Sequence, residues 1–156
     1  YFGLIYKNSF SSTTYSPRKF LQPNSELTQK ADGDINYPAI RYAEVLLWEA
    51  EALIELGRMQ EALAPLETVR ARARAQTAVS GTLPAITSTN QVTLRQAVRR
   101  ERQTELGFEL HRFFDLVRWG TAAESLPGFQ KGKHEVFPIP QTEIDLNPSL
   151  LQNPNY

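Results

Sequence analysis

Three observations predict a mostly α fold. Apolar residues recur at helical spacing along residues 39–75, and small residues (Ala50, Gly57 and Ala62) punctuate that stretch at the places where two helices would approach and turn. The segments on either side are crowded with proline, glycine, serine or threonine, which suit loops rather than long helices. The expected architecture is a helical hairpin of the tetratricopeptide kind plus further helices, with long irregular loops and an extended C-terminal tail.

Residues 1–38 read as mostly irregular. Tyr1, Phe2, Tyr6, Phe10, Tyr15 and Phe20 are scattered among Ser, Thr and Asn, and Pro17, Pro23 and Pro38 interrupt any long period. Short extended pieces are expected near residues 1–6 and 15–21. The aromatic residues fit best as anchors of a long loop on a helical body. The alternative is that one or two stack on a sugar, because a flat apolar ring matches the C–H face of a pyranose.

Pro38 leads into the first strong helix, in a first turn where its missing N–H would have had no partner. Ile40, Ala43, Leu46, Leu47, Ala50, Leu53 and Ile54 make the apolar stripe, with Glu44, Glu51 and Glu55 expected largely off it. Gly57 should stop the helix, since glycine takes a left-handed backbone cheaply. The second helix buries Met59, Ala62, Leu63, Leu66, Val69 and Ala73. Its Arg70, Arg72 and Arg74 fall late, where the helix dipole favours cations. Pro65 breaks the local rule at a cost of about 3 kcal/mol in a straight helix, so a kink or a later start is expected. Only one such hairpin is visible. A solenoid needs roughly three repeats to bury its faces, so the missing cover is expected from a longer polypeptide or a partner.

Residues 76–91 read as a long flexible loop. Thr93 followed by Gln96 is a capping-box pattern, which starts a third helix near Leu94 and carries it to about Leu106 or Gly107. A fourth, shorter helix is expected over residues 111–119, stopped by Gly120. From Thr121 onward only one short helical turn is expected, near residues 142–146 between Pro140 and Pro148.

Composition excludes some classes. Seventeen basic residues balance seventeen acidic ones, so the chain lacks the positive field that nucleic acid requires. No run is long and apolar enough to suggest a membrane-spanning helix. Cysteine is absent, which removes disulfides, thiolate metal sites and any lipid-acceptor cysteine from these 156 residues. The start at Tyr1, with no leader pattern, is expected of a processed or excised piece.

Leu94, Ala97 and Val98 define the inner face of the third helix, and continuing that face reaches Glu101 and Glu105. Carboxylates on an apolar stripe need partners, because an isolated buried charge is strongly unfavourable. Three chemistries compete for them. A structural ion network would draw on Arg100, Arg102, Arg112 and Arg118, with Asp115 able to join it. A metal site would use Glu101, Glu105, Glu109 and His111, but the Glu-x-x-His pairs of carboxylate-bridged bundles are missing and the arginines repel a cation. A glycosidase-type acid pair needs two carboxylates across an open cleft, which two acids one turn apart among arginines do not suit. The structural network is favoured. Trp48 and Trp119 are read the same way, Trp48 packing on a neighbouring repeat and Trp119 packed at the end of the fourth helix, its indole N–H bonded to a carbonyl.

An ordered series of short motifs runs to the C-terminus: Arg112-Phe113-Phe114-Asp115-Leu116-Val117-Arg118-Trp119-Gly120, Gly132-Lys133-His134, Pro138-Ile139-Pro140, Glu143-Ile144-Asp145 and Gln152-Asn153-Pro154-Asn155-Tyr156. Ahead of it stand Tyr15-Ser16-Pro17-Arg18-Lys19-Phe20, Arg41-Tyr42-Ala43-Glu44-Val45-Leu46-Leu47, Glu49-Ala50-Glu51-Ala52, Val69-Arg70-Ala71-Arg72-Ala73, Arg99-Arg100-Glu101-Arg102 and Glu105-Leu106-Gly107-Phe108-Glu109. Together these resemble the C-terminal part of the SusD/RagB family. Asn155 and Leu110 depart from the pattern by standing where glycine is usual. Of the two, Asn tolerates a left-handed backbone.

The resemblance implies that residues 1–156 are the C-terminal part of a single SusD/RagB-like domain. Within it lie an irregular aromatic segment (1–38), the hairpin (39–75), a loop (76–92), charged helices (93–120) and a proline-rich tail (121–156). It implies a surface-exposed outer-membrane lipoprotein of a starch-utilization-like system, with its anchor outside this chain. Such a protein binds a nutrient, oligosaccharide or peptide, without catalysis and hands it to a SusC-like TonB-dependent transporter. No cofactor, metal or catalytic residue follows from it, and the ligand-binding residues stay unassigned. The competing function is a protein-interaction module built on tetratricopeptide repeats, and an enzyme is a distant third.

Overall fold

The computed structural model describes residue 17, residues 19–27 and residues 33–156. The extended pieces expected near residues 1–6 and the anchoring roles of Tyr1, Phe2, Tyr6, Phe10 and Tyr15 lie outside them. The described residues are helical and include no strand. The chain divides into two compact units, Tyr1–Phe108 and Glu109–Tyr156.

The first unit is built on helices α1 (Tyr42–Glu55), α2 (Met59–Arg74) and α3 (Gln91–Glu105). Its core joins Leu46, Leu47, Ala50 and Ile54 of α1 to Ala62, Leu66 and Val69 of α2, and to Leu94 and Val98 of α3. Ala50 and Ala62 are both fully buried, as close packing of the hairpin requires. The turn between α1 and α2 is a Schellman motif. The Arg58 N–H donates to the Leu53 carbonyl at 2.8 Å and the Gly57 N–H to the Ile54 carbonyl at 3.1 Å, with Gly57 at φ +76°. Gln91 adds a clasp by donating from its side-chain amide to the Ile54 carbonyl at 2.8 Å.

Several details differ from expectation. Helix α1 begins at Tyr42 rather than around Pro38, because Arg41 is extended (φ −129°, ψ 159°) and serves as its N-cap position. Ile40 therefore lies outside the helix and is exposed. Helix α2 starts at Met59, so Pro65 does not delay it; its ring is buried in the hairpin, where apolar burial offsets the missing hydrogen bond. Helix α3 starts at Gln91, three residues before Leu94. Asn90 is the cap, its side-chain oxygen accepting from the Thr93 N–H at 3.0 Å, so Thr93 is a capped residue and not the cap. The loop after α2 is tied at its middle: Arg70 donates to the Pro84 carbonyl and Arg74 to the Leu83 carbonyl. Lys19 and Phe20 form a turn, Phe20 at φ 61° with its ring centroid 5.2 Å from that of Tyr37, and a 3-10 turn follows at Asn24–Glu26.

The second unit contains α4 (Arg112–Arg118), α5 (Ala122–Ser125) and α6 (Gln141–Leu146). Helix α4 ends in another Schellman pair, Thr121 N–H to Leu116 carbonyl and Gly120 N–H to Val117 carbonyl. Helix α6 is the short turn expected between the prolines; α5 is additional. The proline-rich tail is held by side chains instead of secondary structure. The Gln152 amide both accepts from the Ile139 N–H and donates to its carbonyl, at 2.8 and 2.9 Å, much as a neighbouring strand would. Asn153 donates to the Phe137 carbonyl, Asn155 to the Gly132 carbonyl and the Tyr156 hydroxyl to the Val136 carbonyl. Asn155 sits at φ 69°, the left-handed conformation its glycine-like position demands.

Candidate functional site

Two arrangements stand out among the described residues: an arginine–carboxylate network in the first unit and an aromatic groove in the second. The network begins with the face of α3 that carries Leu94 and Val98. One and two turns on, Glu101 and Glu105 bring their carboxylates to the same side, with side chains only 7% and 8% exposed. Arg70 of α2 meets Glu101 with 2.6 Å between Nη1 and Oε2. Glu105 accepts from Arg41 at 2.7 Å and from Arg72 at 2.8 Å on both of its oxygens. Its backbone carbonyl, left without an intrahelical donor at the end of α3, accepts from Lys19 Nζ and Arg41 Nη2, both at 2.7 Å. One residue thus joins the 19–20 turn, the start of α1, the end of α2 and the end of α3.

The partners are not the ones expected. Arg100, Arg102, Arg112 and Arg118 are the sequence-local candidates, whereas Glu101 and Glu105 take Arg70, Arg72 and Arg41 across the helix packing. Arg70, Arg72 and Arg74 are not simply dipole cations: each holds a carboxylate, Arg74 that of Glu67. Glu44 is likewise not off the stripe of α1. It is 2% exposed and faces the buried Arg102 of α3, with 3.6 Å between Oε1 and Nη2. The signal was present in the spacing, because Glu44 precedes Leu47 by three residues and Ile54 by ten, on one ridge of the helix. Arg70 follows Leu66 by four in the same way. Charge masks such positions when a stripe is traced by apolar residues alone.

Asp115 is buried in the second unit and pairs with Arg118, whose Nε lies 2.9 Å from Oδ1. The Arg118 guanidinium also lies over the Trp119 ring, 4.9 Å from its centroid, with that of Arg112 at 6.0 Å. The Trp119 ring is half-buried at the end of α4 against these guanidinium groups. Trp48 stands 42% exposed on α1, in line with Val45 and Tyr42 on the face turned away from the core.

Toward the rim of the first unit the pairs become exposed and weaker. Arg95 donates to both oxygens of Glu55, and these hydrogen bonds hold its carboxyl below the usual carboxylate range.

The groove in the second unit encloses about 310 Å³ and is walled by Phe113, Phe129, Phe137, His134, Val136 and Tyr156 among others. Phe113 of α4 is the hub, with ring centroids 6.3 Å from Phe129 and 6.1 Å from Phe137. Sequence reasoning singled out the aromatic residues near the start of the chain and passed over this set, which is spread over 44 residues and assembled only by the tail. The network carboxylates are engaged by guanidinium groups, which makes them a frame that fixes α1, α2 and α3 against one another. The groove offers flat apolar faces.

Comparison with known proteins agrees with this architecture. The pattern of the SusD family matches residues 6–156. SusD-like protein P2 of Formosa agariphila is 33% identical over 135 residues, which cover 80% of this chain and 27% of that protein. SusD-like protein P38 of the same organism is 32% identical over 126 residues, 79% of this chain and 25% of that one. Among solved structures, a SusD homolog from Bacteroides thetaiotaomicron is 36% identical with a TM-score of 0.63, covering 75% of this chain and 26% of its own. A SusD superfamily protein from Bacteroides vulgatus reaches 0.66 at 28% identity, over 77% of this chain and 27% of its own. The chain spans about a quarter of the length of the curated relatives it matches. With the family pattern running through both units, including the arginine–carboxylate frame and the tail that closes the groove, the chain belongs to the SusD family.

Proposed function

We propose that this chain is the C-terminal part of a single SusD-like domain that captures a nutrient at the outer-membrane surface, an oligosaccharide above all. The captured ligand passes, uncleaved, to a SusC-like TonB-dependent transporter. The observation that carries the reading is family membership over residues 6–156. The outward face of α1 supports the domain assignment. Tyr42, Val45 and Trp48 are each more than 40% exposed along it, with Leu56 exposed just past its end, a second apolar stripe suited to cover by further helices of the same polypeptide. The engagement of Glu101 and Glu105 by arginines supports a non-catalytic role. No described helix is long and apolar enough to cross a membrane, and attachment is proposed through a lipid anchor outside these residues. The ligand-contacting residues are proposed to lie mainly in loops outside them as well.

The same exposed stripe favours a second reading, a tetratricopeptide-type module that binds another protein. Calorimetry of the whole protein against a panel of neutral and acidic oligosaccharides separates the two. Saturable binding of a glycan that is recovered intact is expected. Glycan turnover abolished by Glu101→Gln would overturn the non-catalytic reading. Absence of glycan binding, together with tight binding of a peptide through Trp48, would favour the second.

A further inference from the structure

The turn at residues 130–135 is closed by the Lys133 and His134 N–H groups, which donate to the Gln130 carbonyl, and by two side-chain acceptors. His134 Nδ1 accepts from the Gln130 N–H at 3.0 Å, and Glu135 accepts from the Gly132 N–H with both carboxylate oxygens, at 3.0 and 2.8 Å. The tail grips this turn directly: Asn155 donates to the Gly132 carbonyl at 2.8 Å, and Lys133 Nζ lies 4.7 Å from the centre of the Tyr156 ring. His134 also stands edge-on to Phe129, with centroids 5.7 Å apart, and forms part of the groove wall beside Tyr156. The imidazole therefore bonds the turn and lines the groove, while its neighbours Gly132 and Lys133 make the turn's contacts with the tail.

We propose that this turn is an acid-released latch, in which neutral His134 helps hold the turn closed and, through Gly132 and Lys133, keeps Asn155 and Tyr156 beside the aromatic groove. An imidazole can accept through Nδ1 only while that nitrogen carries no proton. On protonation the Nδ1–H points at the Gln130 N–H, so an attraction becomes a repulsion between two donors. The charges around the ring are of both signs. Glu135 attracts the imidazolium, while Lys131 and Lys133 on the same turn repel it. Helix α4 and the segments 126–129 and 136–137 contribute only uncharged groups to the shared wall, and the tail contributes Tyr156. The hydrogen bonds from Gly132 hold the Glu135 carboxyl below the usual carboxylate range. That second acceptor consequently keeps its charge over the range in which an imidazole can gain a proton.

Amide hydrogen exchange of the whole protein tests this, read at the Gln130 N–H and at residues 155 and 156 of the tail and corrected for intrinsic rates. Between about pH 7.5 and about pH 5.5, where imidazole changes charge, protection at both places should fall about two- to tenfold, the scale of one hydrogen bond. His134→Gln keeps a neutral acceptor and should lose that pH dependence, while His134→Ala should show the lowered protection at both pH values. Unchanged protection in the wild-type protein over this range would overturn the proposal. So would an equal loss in His134→Gln, or full protection of the tail in His134→Ala.

Discussion

Replacing Glu101 with Gln leaves the shape of α3 intact and removes the charge that Arg70 was built to meet. Their side chains are 7% and 13% exposed and the contact is 2.6 Å, so the guanidinium left behind can be only partly rehydrated. Breaking a buried pair on one side costs about 3–5 kcal/mol, and the bond from Arg70 to the Pro84 carbonyl, which survives, places this case near the low end. A loss of about 3 kcal/mol corresponds to a fall of about 6–12 °C in Tm for a chain of this size. Replacing both partners by apolar residues (Glu101→Leu with Arg70→Met) should return most of that loss, to within about 1 kcal/mol of wild type, because no charge is then stranded. Thermal melts of Glu101→Leu, Arg70→Met and the double variant, monitored by circular dichroism, complete the cycle. A Glu101→Gln protein that melts with the wild type would refute the buried frame. A double variant whose cost equals the sum of its singles would refute the pairing.

Ala62→Leu should destabilise the hairpin by about 1–3 kcal/mol in urea unfolding, since Ala62 is fully buried against α1 and has no room for a larger side chain. Gly57→Ala and Leu110→Gly should move stability in opposite directions. Gly57 sits at φ +76° with open space around it, so an added Cβ brings backbone strain of about 1 kcal/mol and no clash. Leu110 sits at φ 63° with its side chain exposed, so glycine there should relieve strain and add up to about 1 kcal/mol. Unfolding midpoints that shift the same way for both variants would contradict this account. Glu55, lowered by the hydrogen bonds from Arg95, contributes stability that is present above the ordinary carboxylate range and fades as the pH falls through its depressed value. Glu55→Gln should therefore show a shallower loss of stability on acidification than the wild type, by a small margin because the pair is exposed.

The order of helices, the hairpin, the stop at Gly57 and the short turn before Pro148 were legible in the residues, because helical period, capping chemistry and glycine geometry act over a few positions. So was the need for partners at Glu101 and Glu105, since burying a lone carboxylate is unfavourable in any fold. Tertiary structure alone decided who those partners are. Arg70, Arg72 and Arg41 lie more than thirty positions away and reach the carboxylates only through the packing of α2 and α1 on α3. Glu44 and Arg102 became a buried pair for the same reason, and the groove around Phe113 exists only once the tail folds back on residues 132–139. Local rules constrain the backbone one turn at a time, whereas the choice among many equivalent guanidinium groups depends on distances that no stretch of sequence carries by itself.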